Sequence, residues 1–397
     1  PHSTTPRTQL FIHFVCGLQD KTMSREYETM GSILCLDVPE GTKFGIDYEE
    51  WSCGPNFKGV KMIPPGIHFV YYSSGAKYGG EPGPRIGFFI RVKEGDVFVR
   101  RWNSELEDFF EANEMNSDEV ERYCLAVKKF EFDRNLGKYP DANYSEWQKL
   151  SRHITPSVLD VLEPIGKKIS GIFDSADDMK QLEEQLKNHK FSNLSSDSSS
   201  QAPKQNTIDF SKFKPYYTPI AKFKIVQGAT AQQITKYNMD KSSILYDIMK
   251  RYSQDGGFSV LGELEFAFIC FLMGQSFDGF GQWKELCGIF CAAEEASQQY
   301  PELFQAFLET FQFQLAQVPT DFFDDIITSN NFLYAALKNL FDILSDTLNL
   351  SLKKSGERLQ QYVNQRFNLK FNITKTVVDF AEDDEDAPVI VDLNDVQ

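Results

Sequence analysis

FGIDYEEWSCGPNFKGVKMIPPGIHFVYY, residues 44–72, is the stretch on which the fold turns. Short runs rich in Val, Ile, Phe and Tyr alternate with clusters of Gly and Pro, the pattern of strands joined by tight turns. Pro64-Pro65-Gly66 cannot continue a central strand, because neither proline has an N–H to give to a ladder; it predicts a turn or a sheet edge. Trp51, Pro64, Pro65, Gly66 and His68 are the segment's most specific residues. No catalytic pairing accompanies them at a recognisable spacing. A stretch so specific and so poor in chemistry points to recognition more than to reaction.

Outward from this stretch, Ile33–Val38, Ile67–Tyr72, Ile86–Val92 and Val97–Trp102 read as further strands, and Gly95-Asp96 between the last two predicts a hairpin. Helices follow. Ser117 is placed to cap a helix carrying Val120, Tyr123, Cys124 and Val127 on one face, and Thr155-Pro156 is a cap followed by proline at the first helical position. Residues 175–189 read as an exposed polar helix. The string SNLSSDSSSQAPKQNTID, residues 192–209, is Ser-rich and nearly without apolar side chains, so it reads as a linker and a candidate site of phosphorylation. Beyond it the period is helical. Leu245, Ile248, Met249 and Tyr252 share a face. Residues 260–273 are apolar nearly all round, as in a central buried helix. Trp283, Leu286, Ile289, Phe290 and Ala293 mark another helix. Pro301 begins one with Leu303, Phe304, Phe307, Leu308 and Phe311 inward and Pro319 ending it; residues 321–328 and 331–348 supply two more. The fold class is therefore α+β: a β-rich, sandwich-like N-terminal domain, then a C-terminal α-helical superhelix, then an acidic tail. The boundaries are an extension over 1–29, the β-rich domain with trailing helices over 30–190, the linker over 191–211, the helical domain over 212–371 and the tail over 372–397, with extension and tail expected to be disordered.

The formal net charge is −16, which argues against a duplex-binding surface, since phosphate binding needs a basic face. Half of that charge lies between Thr376 and Gln397, where eight acidic residues stand with no Lys or Arg. The seven cysteines recur at no framework spacing and fit reduced thiols. Cys287 and Cys291 share a helix face without a nearby His, as core thiols do. The longest apolar run of the C-terminal half, Ala267–Met273, is too short to cross a bilayer. Arg7 followed by LFIHFVCGL imitates a signal-peptide core, but Met23 stands beyond it, and residues 1–22 read as an upstream extension.

Several motifs fall short. Gly54-Pro-Asn-Phe-Lys-Gly59-Val60-Lys61 has the glycine spacing of a phosphate loop, but Val60 replaces the lysine and no helical pattern follows. Gly279-Phe280-Gly281 lacks the third glycine of a dinucleotide site. None of the five histidines forms a metal-ligand pair. Cys53 and His68 are conceivable as a thiol–imidazole pair, with nothing in the sequence to orient them. KFKPYYTPIAKFK, residues 212–224, has the cations and aromatics to touch RNA but reads better as an inter-domain strap. In the tail, the acidic run Glu382–Asp386 leads into Pro388-Val389-Ile390-Val391, β-branched residues suited to be lent as a strand to a partner's sheet.

FGIDYEEW, GPNFKGVKMIPPGIHFVYYSS, PRIGFFIRV (84–92) and RWNSELEDF (101–109), followed by GELEFAFICFLMGQ (262–275), QWKEL (282–286) and PTDFFDDI (319–326), resemble the Aar-two (a1-alpha2 repression) splicing factor family over about residues 30–380. The resemblance implies an assembly factor of the U5 snRNP with a helical part like that of VHS domains. It implies binding to the large splicing protein Prp-eight, at its RNase H-like and Jab/MPN domains, so that the Brr-two helicase engages later. It carries Trp51, Pro64, Pro65, Gly66 and His68 in one half and Asp321, Phe322 and Phe323 in the other as partner-binding residues, with Val389, Ile390 and Val391 as the lent strand. The expectation is a protein of cytoplasm and nucleus that is monomeric before binding. No enzymatic activity, cofactor, metal, direct nucleic-acid contact or membrane contact is expected. The alternatives are an enzyme using Cys53 and His68 and a VHS-like trafficking adaptor.

Overall fold

The first sheet is held together by a crossover, β1 (Gly31–Leu36) lying between antiparallel β4 (Gly59–Ile63) and parallel β7 (Val97–Asn103). A computed structural model describes residues 29–75, 83–110, 114–171, 213–221, 228, 230–252, 255–318, 332–369 and 371. These residues fall into two units. The first comprises the described residues up to Tyr217 together with Gly262–Trp283; the second comprises Thr218–Leu261 and those from Lys284 onward.

The first unit holds two sheets. One has the order β8-β7-β1-β4-β9, with β8 at Asp108–Phe109 and β9 at Gly137–Lys138. The other has the order β10-β6-β5-β2-β3, made of β2 (Lys43–Ile46), β3 (Glu49–Ser52), β5 (Gly66–Ser73), β6 (Ile86–Val92) and β10 (Ile169–Ser170). Side chains alternate across each strand. Ile33, Phe44, Val70, Tyr72, Phe88 and Ile90 belong to one core cluster. Their neighbours Leu34 and Leu36 pack in a separate cluster with Val127 of α1 (Ser117–Lys128). In the second sheet Phe89 meets Phe266 of α6 (Phe258–Leu272), ring centroids 4.9 Å apart. Strands buried on both faces cannot show a clean polar–apolar alternation, which is why β1 and β5 read as continuous apolar runs. On the other face of the second sheet the rings of Phe69 and Tyr71 fill the space over Gly87 and Gly45. A Cβ on Gly87 would stand 2.2 Å from the Phe69 ring, and one on Gly45 2.3 Å from Tyr71.

Two local expectations are corrected. Gly95-Asp96 does not form a hairpin: β6 and β7 belong to different sheets. Asp96 turns its carboxylate to the Lys93 N–H and its carbonyl to the Ser32 N–H, so the turn is fastened to the start of β1 and the chain crosses between sheets. The cap of α1 is Asn116 rather than Ser117; its side chain accepts the Asp118 N–H at 2.9 Å. Thr155 does cap α3 (Pro156–Leu162), accepting the Val158 N–H. Residues 175–189 and 321–328 lie outside the described residues.

In the second unit, Thr230 and Gln233 close a reciprocal capping box at the start of α4 (Ala231–Met239), and α5 (Ser242–Met249) follows. Pro301 opens α9 (Pro301–Gln317), whose Phe307 stacks on Phe290 at 4.5 Å and on Phe311 at 5.2 Å. This ladder accounts for part of the chain's high Phe content. At the end of α9, Arg366 of α11 (Leu350–Phe367) donates to the carbonyls of Leu315, Ala316 and Val318. It thereby satisfies acceptors that a helix C-terminus leaves open. Among the described residues no helix is long and apolar enough to cross a membrane.

Candidate functional site: a braced proline corner

Gly and Pro spacing put a corner between β4 and β5, and the structure shows what fixes it. His68, two residues into β5, is wholly buried. Its Nε2 donates to the Pro64 carbonyl at 2.8 Å, and its Nδ1 lies 2.6 Å from Oδ2 of Asp47. Asp47 sits in the β2–β3 turn with φ 54°, a conformation uncommon for a residue with a side chain. Its carboxylate holds that position by accepting the Phe69 N–H at 2.9 Å and the Tyr139 hydroxyl at 2.7 Å as well. Burial, then the Asp47 charge, pushes the Tyr139 phenol far above its ordinary range, so it acts as a fixed donor.

Two aromatic residues complete the brace. Tyr144 and Trp147, of α2 (Tyr144–Leu150), lie nearly parallel to the imidazole, at 15° and 14°, with centroids 6.1 and 6.3 Å away. The Tyr144 hydroxyl donates to the Pro65 carbonyl at 3.2 Å and the Trp147 indole to the Ile67 carbonyl at 2.7 Å. Three carbonyls of the corner, those of Pro64, Pro65 and Ile67, thus each accept a side-chain donor. Pro64 is buried while Pro65 and Gly66 are exposed. Gly66 has φ 151°, open to glycine and strained for other residues.

The sequence-predicted residues Pro64, Pro65, Gly66 and His68 therefore form one site. Trp51 does not join it: on edge strand β3 it is half-buried against the sheet core, and among the described residues no hydrogen bond or ring contact ties it to the corner. Asp321, Phe322, Phe323, Val389, Ile390 and Val391 lie outside the described residues. Asp47, Tyr139, Tyr144 and Trp147 were missed. Their one sequence signal is the spacing of aromatics in YPDANYSEW, with Tyr144 and Trp147 on one helix face.

The site has poor means for chemistry. Both His68 nitrogens are committed within the protein, and burial pushes the Cys53 thiol up to about 12, far from the thiolate a nucleophile needs. Among the described residues no cluster of His, Cys, Asp and Glu could hold a metal ion. The glycine loop at 54–61 runs into β4, with no helix to receive a phosphate. In the basic aromatic stretch, the Tyr216 N–H donates to the Leu162 carbonyl, Lys214 pairs with Asp278 at 2.7 Å and Tyr217 meets Phe266 edge-on, so these groups are used within the first unit.

Two family profiles match the chain in order: the AAR2 N-terminal domain over residues 29–164 and the AAR2 C-terminal repeat region over residues 217–372. Among curated proteins, the mouse protein named Protein AAR2 homolog is 33% identical over 376 residues, covering 91% of this chain and 93% of its own length. The human protein of that name is 33% identical over 377 residues, with the same coverage. The Caenorhabditis elegans one is 32% identical over 355 residues, covering 87% of this chain and 96% of itself.

Proposed function

The chain belongs to the AAR2 family, and on that premise we propose that it is a U5 snRNP assembly factor in pre-mRNA splicing. It binds the large splicing protein Prp-eight, at the RNase H-like and Jab/MPN domains, and delays engagement of the Brr-two helicase. The observation that carries this is the ordered match of both family regions together with one-third identity along nine-tenths of the chain. The braced corner supports an interaction protein: its polar groups are spent on holding a surface still rather than on meeting a substrate. Pro65 and Gly66 offer one contact. Asp321, Phe322 and Phe323 offer a second, and the Val389-Ile390-Val391 strand a third. Linked contacts raise one another's effective concentration, so modest patches hold a large partner. The protein works in cytoplasm and nucleus, and phosphorylation of the Ser-rich stretch at 192–209 favours release by adding negative charge.

The test is retention of the purified full-length chain by the isolated RNase H-like and Jab/MPN domains of Prp-eight, with and without residues 381–397. Retention that weakens on truncation is expected. Absence of retention by both domains refutes the proposal, and undiminished retention of the truncated chain removes the tail from it.

A further inference from the structure

We propose that β3 (Glu49–Ser52) is a docking edge that takes an extended segment of a partner protein as a further antiparallel strand, one whose alternate residues are apolar and cationic. Neither the partner named above nor the proline corner is needed for it.

β3 is the outermost strand of the second sheet, and β8, β9 and β10, the strands at the other sheet edges, are two residues each. Its register against β2 sets Glu49 opposite Ile46, Glu50 opposite Gly45, Trp51 opposite Phe44 and Ser52 opposite Lys43. In an antiparallel pair, bonded and non-bonded positions alternate. The two-residue turn at Asp47 and Tyr48 makes Ile46–Glu49 a bonded pair, and the Cys53 N–H donating to the Thr42 carbonyl at 2.8 Å fixes the same phase at the far end. Trp51 is therefore bonded to Phe44, and the N–H and C=O of Glu50 and of Ser52 point away from the sheet. Both residues are exposed, and among the described residues nothing pairs with those backbone groups. Such a row is a template for another strand unless something blunts it, and β3 carries neither proline nor bulge.

The side chains select the strand that fits. Trp51 and Glu49 share the face of Phe44 and Ile46, which belong to the core. Trp51 is half-buried there, so an apolar residue set opposite it extends the core cluster outward. Glu49, also half-buried, receives the Asn143 amide at 2.7 Å, and among the described residues no cation pairs with it. A lysine or arginine two residues along from the apolar one would stand opposite that carboxylate. Glu50, on the other face, is already paired with Arg85, so a neutral residue suits it. The same carboxylates turn other occupants away. A second copy of β3 would set glutamates against glutamates, and the chain's own Val389-Ile390-Val391 stretch has Asp386 before it and Asp392 after it.

The experiment follows the full-length chain, labelled with 15N-tryptophan at its four tryptophans, on addition of the peptide acetyl-Thr-Thr-Val-Thr-Lys-Thr-amide; Trp51→Phe identifies the Trp51 signal. Paired antiparallel, the peptide's valine faces Trp51, its lysine faces Glu49 and the threonine between them faces Glu50. The Trp51 backbone amide should shift saturably, with a dissociation constant on the order of millimolar. N-methylation of that threonine, whose N–H would donate to Glu50, should weaken binding at least about fivefold, while N-methylation of the valine, whose N–H points away, should change it by less than about twofold. Exchanging the lysine for glutamate should weaken binding at least about fivefold, and Glu49→Gln, which keeps an acceptor for Asn143, should shrink that difference. No saturable Trp51 shift, equal loss from the two N-methylations, or equal binding of the lysine and glutamate peptides overturns the proposal. So does a Trp51 signal that moves when the chain alone is diluted, the mark of a second copy on the edge. Tighter binding of a synthetic peptide of residues 384–395 than of the lysine peptide overturns it too.

Discussion

Asp47 is the residue on which the corner depends, since it receives the Phe69 N–H, the Tyr139 hydroxyl and the imidazole of His68. Asp47→Ala strands the buried Phe69 N–H and Tyr139 hydroxyl and takes away the partner of His68 Nδ1, and urea unfolding should show a loss of about 3–5 kcal/mol. Glu265 makes a separate prediction for pH. It is fully buried in α6 and accepts the His153 N–H and faces His153 Nδ1, each at 2.6 Å. Burial is the largest influence and raises its pKa above the ordinary carboxylate value, against the pull of His153. A carboxyl that holds its proton more tightly folded than unfolded contributes stability in full below its unfolded value, about 4.3. It loses that contribution as pH rises through the higher folded value. Glu265→Gln should therefore flatten the profile, so that wild type declines relative to the variant as melts are taken from pH 4 upward.

At the scale of elements, one face of the second sheet depends on rings that fill the space over glycines. Gly87→Ala forces the Phe69 ring aside and should destabilise by about 1–3 kcal/mol, whereas Thr155→Ala, which only uncaps α3, should lose about 1 kcal/mol; denaturant midpoints distinguish them. Strands, buried helix α6 and the proline-opened helices α3 and α9 were legible in the sequence because their signals are local: β-branched runs, continuous apolarity, Thr-Pro and Tyr-Pro. What was not legible is long-range. Gly95-Asp96 has the composition of a hairpin turn, and only the bond from Ser32 to the Asp96 carbonyl shows that it is a crossing between sheets. The corner divides in the same way. Pro64, Pro65, Gly66 and His68 announce themselves, but the partner Tyr139 lies 92 positions from Asp47, and no local period reports such a pairing.

For the whole molecule, charge is the property that acts at a distance. Residues 381–397 carry seven carboxylates (Glu382, Asp383, Asp384, Glu385, Asp386, Asp392 and Asp395) and no Lys or Arg, so their removal takes the formal charge from −16 to −9. If the tail steers the chain toward a basic partner, association with the Prp-eight domains should slow with added salt, and the truncated chain should lose most of that dependence; stopped-flow rates at several ionic strengths decide it. The buried thiols have a practical corollary. Cys35 and Cys53 lie in the first unit, Cys287 and Cys291 in the second, all buried, with burial raising the pKa of each thiol. Only the thiolate alkylates readily, so each pair stays silent to iodoacetamide until its surroundings open. The chain thus carries a chemical clock in each half, and the order in which the two pairs gain mass records which half comes apart first.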